Sequence, residues 1–158
     1  MVAKSNWATD SARNKVATHK GTGQRLVTAV GNVHVERFRK TIAEVNAGVT
    51  LMSAIAGFKY RLVDAFAIAV GGAVATVTTI DILGTQSTSS VKLVAFAQAG
   101  MTQSTLVRAG SASGAILTDG ASFVACDVNT AITANITGSS IATATHIDFV
   151  ITYALDEA

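Results

Sequence analysis

GFKYRLVDAFAIAVGGAVATVTTIDIL, running from Gly57 to Leu83, is the stretch whose reading decides the fold. Tyr60, Leu62, Asp64 and Phe66 alternate with Arg61, Val63, Ala65 and Ala67; later, Ile80 and Ile82 alternate with Thr79 and Asp81. A period of two built from β-branched and aromatic side chains fits strands with one buried face. Gly71-Gly72 stands between the two halves. Glycine at both central positions permits the positive φ angles of a type I′ turn, so a tight β-hairpin is expected here.

The flanks repeat the pattern. Upstream, Leu26–Ile42 reads as a strand, with Val33 and Val35 on one face and His34, Glu36 and Phe38 on the other. The Val45–Thr50 segment leads into Leu51, Met52 and Ile55, a short apolar run whose type is left open. Downstream, Gly84–Ser90 reads as a loop and Val91–Ala97 as a strand. Gly100–Thr105 turns the chain, Leu106 and Val107 precede the loop Ala109–Gly114, and Ile116 and Leu117 are expected to be buried. Asp119-Gly120 is a turn signal before a strand over Ser122–Asp127. Ala131–Thr137 alternates again and Gly138-Ser139-Ser140 turns. The last strand, Thr143–Tyr153, has Thr145, Ile147, Phe149, Ile151 and Tyr153 as its inner face. Strands this short, separated by Gly, Ser, Asn and Asp, indicate an antiparallel sandwich or barrel. No helical period runs long enough for a bundle. The expected fold is all-β: an antiparallel β-sandwich of jelly-roll type over residues 26–158, preceded by an extended N-terminal arm, residues 1–25. One internal echo, ATVTTIDIL (75–83) against ATATHIDFV (142–150), aligns Ile80-Asp81 with Ile147-Asp148. It reads as two strands under the same inside–outside demand.

The chain has 158 residues, enough for one domain. Charged residues make up 14% of it, against about 25% in an ordinary soluble domain. Ser and Thr fill much of the gap, and such a surface resists close approach less than a charged one. That points to a protomer that buries part of its outside in an assembly. There is no proline, which suits uninterrupted ladders. Cys126 is the single cysteine, so no intrachain disulfide and no Cys-rich metal site is expected, and assembly in a reducing compartment follows. Met1–Lys20 has no apolar core of a secretory signal, and Ala65–Ile80 is too short and too interrupted to span a membrane.

Charge divides the chain. Residues 1–40 hold eight basic side chains against Asp10 and Glu36, a net of +6, while the remainder holds four basic against eight acidic, a net of −4. The arm shows no sustained period. Its candidate docking residues are Lys4, Arg13, Lys15, Lys20 and Arg25, with Trp7 as the one large apolar group, which either anchors in a partner's pocket or folds back on its own domain. Such an arm can neutralise phosphates or an acidic protein surface. Scarce aromatics and a modest Arg/Lys density favour protein over nucleic acid.

Catalytic and metal motifs are weak. His146 and Asp148 share a strand face, as a dyad or metal pair would, but no nucleophile or third ligand accompanies them. His19 and His34 have no metal-ligand spacing, and Cys126 lacks a nucleophile signature. Gly21–Arg25 starts like a phosphate loop but lacks its third glycine and Lys-Ser/Thr pair. The expectation is no catalytic residue, no metal, no cofactor, no small-molecule substrate and no membrane partner.

Ala47-Gly48-Val49-Thr50-Leu51, then Gly57–Asp64, Gly71-Gly72 and the final Thr145–Val150 strand together resemble small β-sandwich virion proteins of tailed bacteriophages. The likeness covers roughly residues 42–155 and is nearest to the capsid decoration, or cement, proteins. It implies a trimeric jelly roll that binds the major capsid protein on the outer capsid surface, assembled in the host cytoplasm, with an N-terminal arm clamping the shell. Related sandwiches also form head fibres and tail receptor-binding tips. A coat protein whose basic arm binds nucleic acid is the further alternative.

Overall fold

The computed structural model describes residues 33–116 and 124–158, together with the backbones of two short strands nearer the N-terminus. In chain order the elements are β1 (Trp7–Thr9), β2 (Lys15–Ala17), β3 (Val33–Thr41), α1 (Ile42–Ala47), β4 (Val49–Met52), β5 (Phe58–Val70), β6 (Val74–Gln86), β7 (Ser89–Ala97), a 3-10 turn (Gln98–Gly100), β8 (Leu106–Arg108), β9 (Gly114–Ile116), β10 (Ile132–Thr143) and β11 (His146–Glu157).

Two antiparallel sheets face each other. One has the order β3-β11-β5-β8 and the other β4-β10-β6-β7-β9. With β9 set aside and counting from β3, the first, eighth, third and sixth strands make one sheet, and the second, seventh, fourth and fifth make the other. That is the strand order of a jelly roll. The core lies between the sheets. β11 contributes Ile147, Phe149, Ile151 and Leu155, β6 contributes Ile80 and Ile82, and Leu62, Leu93, Phe96, Met101 and Ile132 close the rest.

The expected hairpin at Gly71-Gly72 is wrong. β5 and β6 lie in different sheets, and the glycines form an arch over the edge of the core. The carbonyl of Val70 accepts from Thr145 N at 2.9 Å, whereas Val74 N donates to the carbonyl of Met101 at 2.9 Å. Of the two glycines only Gly71 has a positive φ, 77°, where a type I′ turn needs both. Both positions still exclude larger residues: a Cβ on Gly71 would meet the Thr145 side chain, and one on Gly72 would stand 2.6 Å from the Thr143 carbonyl oxygen. Alternation fixes which face of each strand is buried, and arch and hairpin satisfy it equally.

The tight hairpin joins β6 to β7 instead, inside the segment read as a loop, Gly84–Ser90. Gln86 pairs with Ser89, and Ser87 and Thr88 between them both take left-handed φ, 51° and 64°. Neither is glycine, so the conformation is supported from outside. The Asp127 carboxylate accepts from Ser87 N at 3.1 Å and from Thr88 N at 2.7 Å.

Bulges account for further differences. Thr152 pairs with Asp64 and Tyr153 with Leu62, which leaves Val63 as an extra residue on β5. The face flips there: Tyr60 and Leu62 point inward, then Ala65, Ala67 and Ala69, while Asp64 and Phe66 turn outward rather than sharing the inner face with Tyr60. Gly138 is a bulge within the continuous β10 and not a turn; its φ is 97°, and a Cβ there would press on Thr78. Thr145 belongs to the exposed turn before β11, so the inner face starts at Ile147. Ile116 on the short edge strand β9 is 41% exposed, against the expectation of burial; Leu117 and Asp119-Gly120 lie outside the described residues. Within Ser122–Asp127 the described part forms only a bridge, Ala125 to Arg61.

The first long strand ends at Thr41, not Ile42, because a capping box starts α1. Glu44 N donates to Thr41 Oγ1 at 3.3 Å, and Thr41 N donates to Glu44 Oε2 at 2.8 Å. These bonds hold the Glu44 carboxyl below its ordinary range. Val45 anchors the helix in the core. No helix among the described residues is long and apolar enough to cross a membrane.

Candidate interaction surface

Of the arm residues singled out from the sequence, Lys4, Arg13, Lys20 and Arg25 lie outside the described residues. Trp7 and Lys15 stand on β1 and β2, which pair antiparallel with Trp7 opposite Ala17 and Thr9 opposite Lys15. This small sheet is separate from the two of the sandwich, so the segment read as lacking any period does contain local pairing.

The side chains that the fold brings together lie on the outer face of the β3-β11-β5-β8 sheet. Strand register sets them in rows. Arg37, Val150, Phe66 and Arg108 form one, and Arg39, Asp148, Ile68 and Leu106 the next. Arg37 and Arg39 converge on Asp148, with Arg39 Nε at 2.7 Å from Oδ1 and its Nη2 at 2.8 Å from Oδ2. The Asp148 side chain is 5% exposed, while those of the two arginines are more than half exposed. Hydrogen bonds from Arg39 and Arg37 outweigh burial and lower the Asp148 carboxyl to about 2. Arg108 bonds Asp64 at 2.9 Å and lies 5.6 Å over the Phe66 ring. Arg61 pairs with Asp156. Between these ion pairs the face is apolar: Val150, Phe66 and Ile68 are half-buried, and Val33, Val35 and Leu106 are exposed. A depression of about 700 Å³ beside it is lined by Val63, Asp64, Thr152, Arg108 and Ile116.

The opposite sheet carries a second buried carboxylate at the matching place. Asp81 on β6 meets Lys92 Nζ at 2.9 Å and accepts from Thr137 Oγ1 at 2.6 Å. Its Oδ1 and the neighbouring Thr79 Oγ1 are buried with no hydrogen-bond partner among the described residues. The sequence echo is therefore structural. Ile80 and Ile147 enter the core from opposite sheets, and Asp81 and Asp148 sit on the two outer faces, each ion-paired across strands.

The other candidates have ordinary surroundings. The Asp148 carboxylate is engaged by arginines, and His146 Nδ1 lies 3.0 Å from Thr145 Oγ1. His34 stacks on Tyr153, centroids 5.4 Å apart. Cys126 is buried, and burial pushes its thiol up to about 11. No group of three His, Cys, Asp or Glu among the described residues could hold a metal ion. The guanidinium rows escaped sequence reasoning because Arg37 and Arg39 are distant in the chain from Asp148. Asp148 alone was marked in the sequence, by the Ile-Asp echo and by its spacing from His146.

No protein-family model matches the chain, and no curated protein or solved structure matches it either.

Proposed function

We propose that this chain is a structural virion protein that decorates and cements a bacteriophage capsid, binding the shell of the major capsid protein as a homo-oligomer. The resemblance implies a trimer. The role is mechanical, with no catalysis, cofactor or small-molecule substrate. The observation that carries the reading is a jelly-roll body whose outer sheet face interleaves arginines with half-open apolar side chains. Arg and apolar groups arranged in this way suit a protein interface. The +6 charge of residues 1–40 supports the same reading, since such a charge suits an acidic protein surface.

Co-sedimentation of the purified chain with undecorated capsids tests this, followed by cryo-electron microscopy of the particles. Saturable binding with density at defined sites on the outer shell is the expected result. Density at a head fibre or tail tip would replace the reading with an attachment role. Protection of phage DNA without binding to empty heads would replace it with nucleic-acid packaging.

A further inference from the structure

β3 is an edge strand. β11 lies on one side, and no strand among the described residues lies on the other. It is 9 residues long, contains no proline, and its register with β11 runs without a break. Long open edges are ordinarily blunted by charge, a bulge or a covering segment. Charge guards only one half of this one, through Arg37, Arg39 and Lys40. The other half presents Val33 and Val35, 56% and 64% exposed. Beside them, His34 Nε2 is buried with no hydrogen-bond partner among the described residues. Glu36 is exposed and is held in place by Tyr153, whose hydroxyl donates to Oε1 at 2.6 Å.

We propose that β3 pairs antiparallel with β3 of a second copy across a two-fold axis at Val35, which joins the two four-stranded sheets into one. A two-fold axis normal to a sheet pairs one residue with itself. Centring on Glu36, Arg37 or Arg39 sets like charges face to face, and centring on Phe38 sets Arg37 against the partner's Arg39. Centring on Val35 sets Val35 against the partner's Val35 and His34 against the partner's Glu36. It also lays the stem of Arg37 over the partner's Val33. That register is centred on the Val33–Val35 half of the edge, gives the orphaned imidazole a carboxylate, and leaves Arg39 and Lys40 outside. The product is a dimer in place of the trimer that the resemblance implies.

Sedimentation velocity of the full chain at micromolar concentration is expected to give twice the 16.2 kDa protomer mass. Val35→Lys sets two ammonium groups together at the axis. It is expected to yield monomer with an unchanged far-ultraviolet circular dichroism spectrum, since Val35 is open to solvent. Val35→Cys is expected to form an intermolecular disulfide on mild oxidation, because self-paired residues sit within the roughly 4.4–6.8 Å Cα range of a bridge. Arg37→Cys, four residues of register or about 13 Å from its own copy, is expected not to. A wild-type monomer, an oligomer that survives Val35→Lys, or equal cross-linking of the two cysteine variants would overturn the pairing. The assay uses no capsid, so its failure is distinct from failure of the docking reading.

Discussion

Asp148 sits nearly buried on a face that otherwise looks outward, and it stays ionised there because Arg39 and Arg37 meet its carboxylate. Its pKa is lowered to about 2 in the folded chain, against about 3.9 when unfolded. A lowered carboxylate contributes stability that is complete above the unfolded value and is lost as pH falls through the folded one. The window is therefore about pH 4 down to 2. Linkage alone gives about 2.5 kcal/mol, and the solvent-open arginines reduce that to about 1–2 kcal/mol. Asp148→Asn is expected to lower stability by this amount at pH 7 and to flatten the decline between pH 4 and 2, measured by urea unfolding across pH. Gly84 makes a different kind of point. A Cβ there would stand 2.6 Å from Cys126 Sγ and 3.1 Å from Leu93 Cδ1. Gly84→Ala is expected to cost about 1–3 kcal/mol by overpacking, and Cys126→Ala in the same chain to recover part of that loss. Strict additivity in the double-mutant cycle would show that the two atoms do not compete for space.

At the scale of elements, the β6–β7 turn depends on a residue far along the chain. Ser87 and Thr88 hold left-handed φ because Asp127 accepts from both backbone N–H groups. Asp127→Ala removes two charge-assisted bonds at the surface, worth about 1–2 kcal/mol together, or about 2–8 °C of melting temperature in a domain this size. Adding Thr88→Gly, which takes that φ freely, is expected to restore part of the loss; differential scanning calorimetry reads both. This dependence explains why the hairpin was misplaced. Gly71-Gly72 carries a local turn signal, whereas Ser87-Thr88 is stabilised only after Asp127 arrives from a distant loop. Alternation in Phe149, Ile151 and Tyr153 was legible because each strand obeys it locally, and it led to the right sandwich. The Val63 bulge was not legible, since an extra residue is defined only against the partner strand. The Thr41–Glu44 capping box is a local signal that marks the end of β3 and was open to sequence reading. The candidate interaction surface was the least legible, because its ion pairs join strands remote in sequence.

For the whole molecule, the question is what residues 1–25 contribute to a body that has its own core. Among the described residues, every buried side chain of that core lies between Val45 and Leu155, so removal of the arm is expected to leave the melting temperature near that of the full chain. Attachment is another matter. Lys4, Arg13, Lys15, Lys20 and Arg25 are the basic groups of this segment and Trp7 is its large apolar side chain. Exposed ion pairs contribute only about 0.2–1 kcal/mol each, so retention on a shell requires many weak contacts repeated across linked copies. The truncated chain is therefore expected to fold, to keep its association state, and to lose co-sedimentation with undecorated capsids. Trp7→Ala is expected to weaken attachment more than any single Lys→Ala change, since an aromatic anchor in a pocket carries more binding energy than one rim charge. Raising the salt concentration should weaken the full chain and leave little further to lose in the truncated one. If truncated protein decorates the shell at unchanged occupancy, the arm is not the clamp, and the arginine rows around Asp148 and Asp64 become the place to cut next.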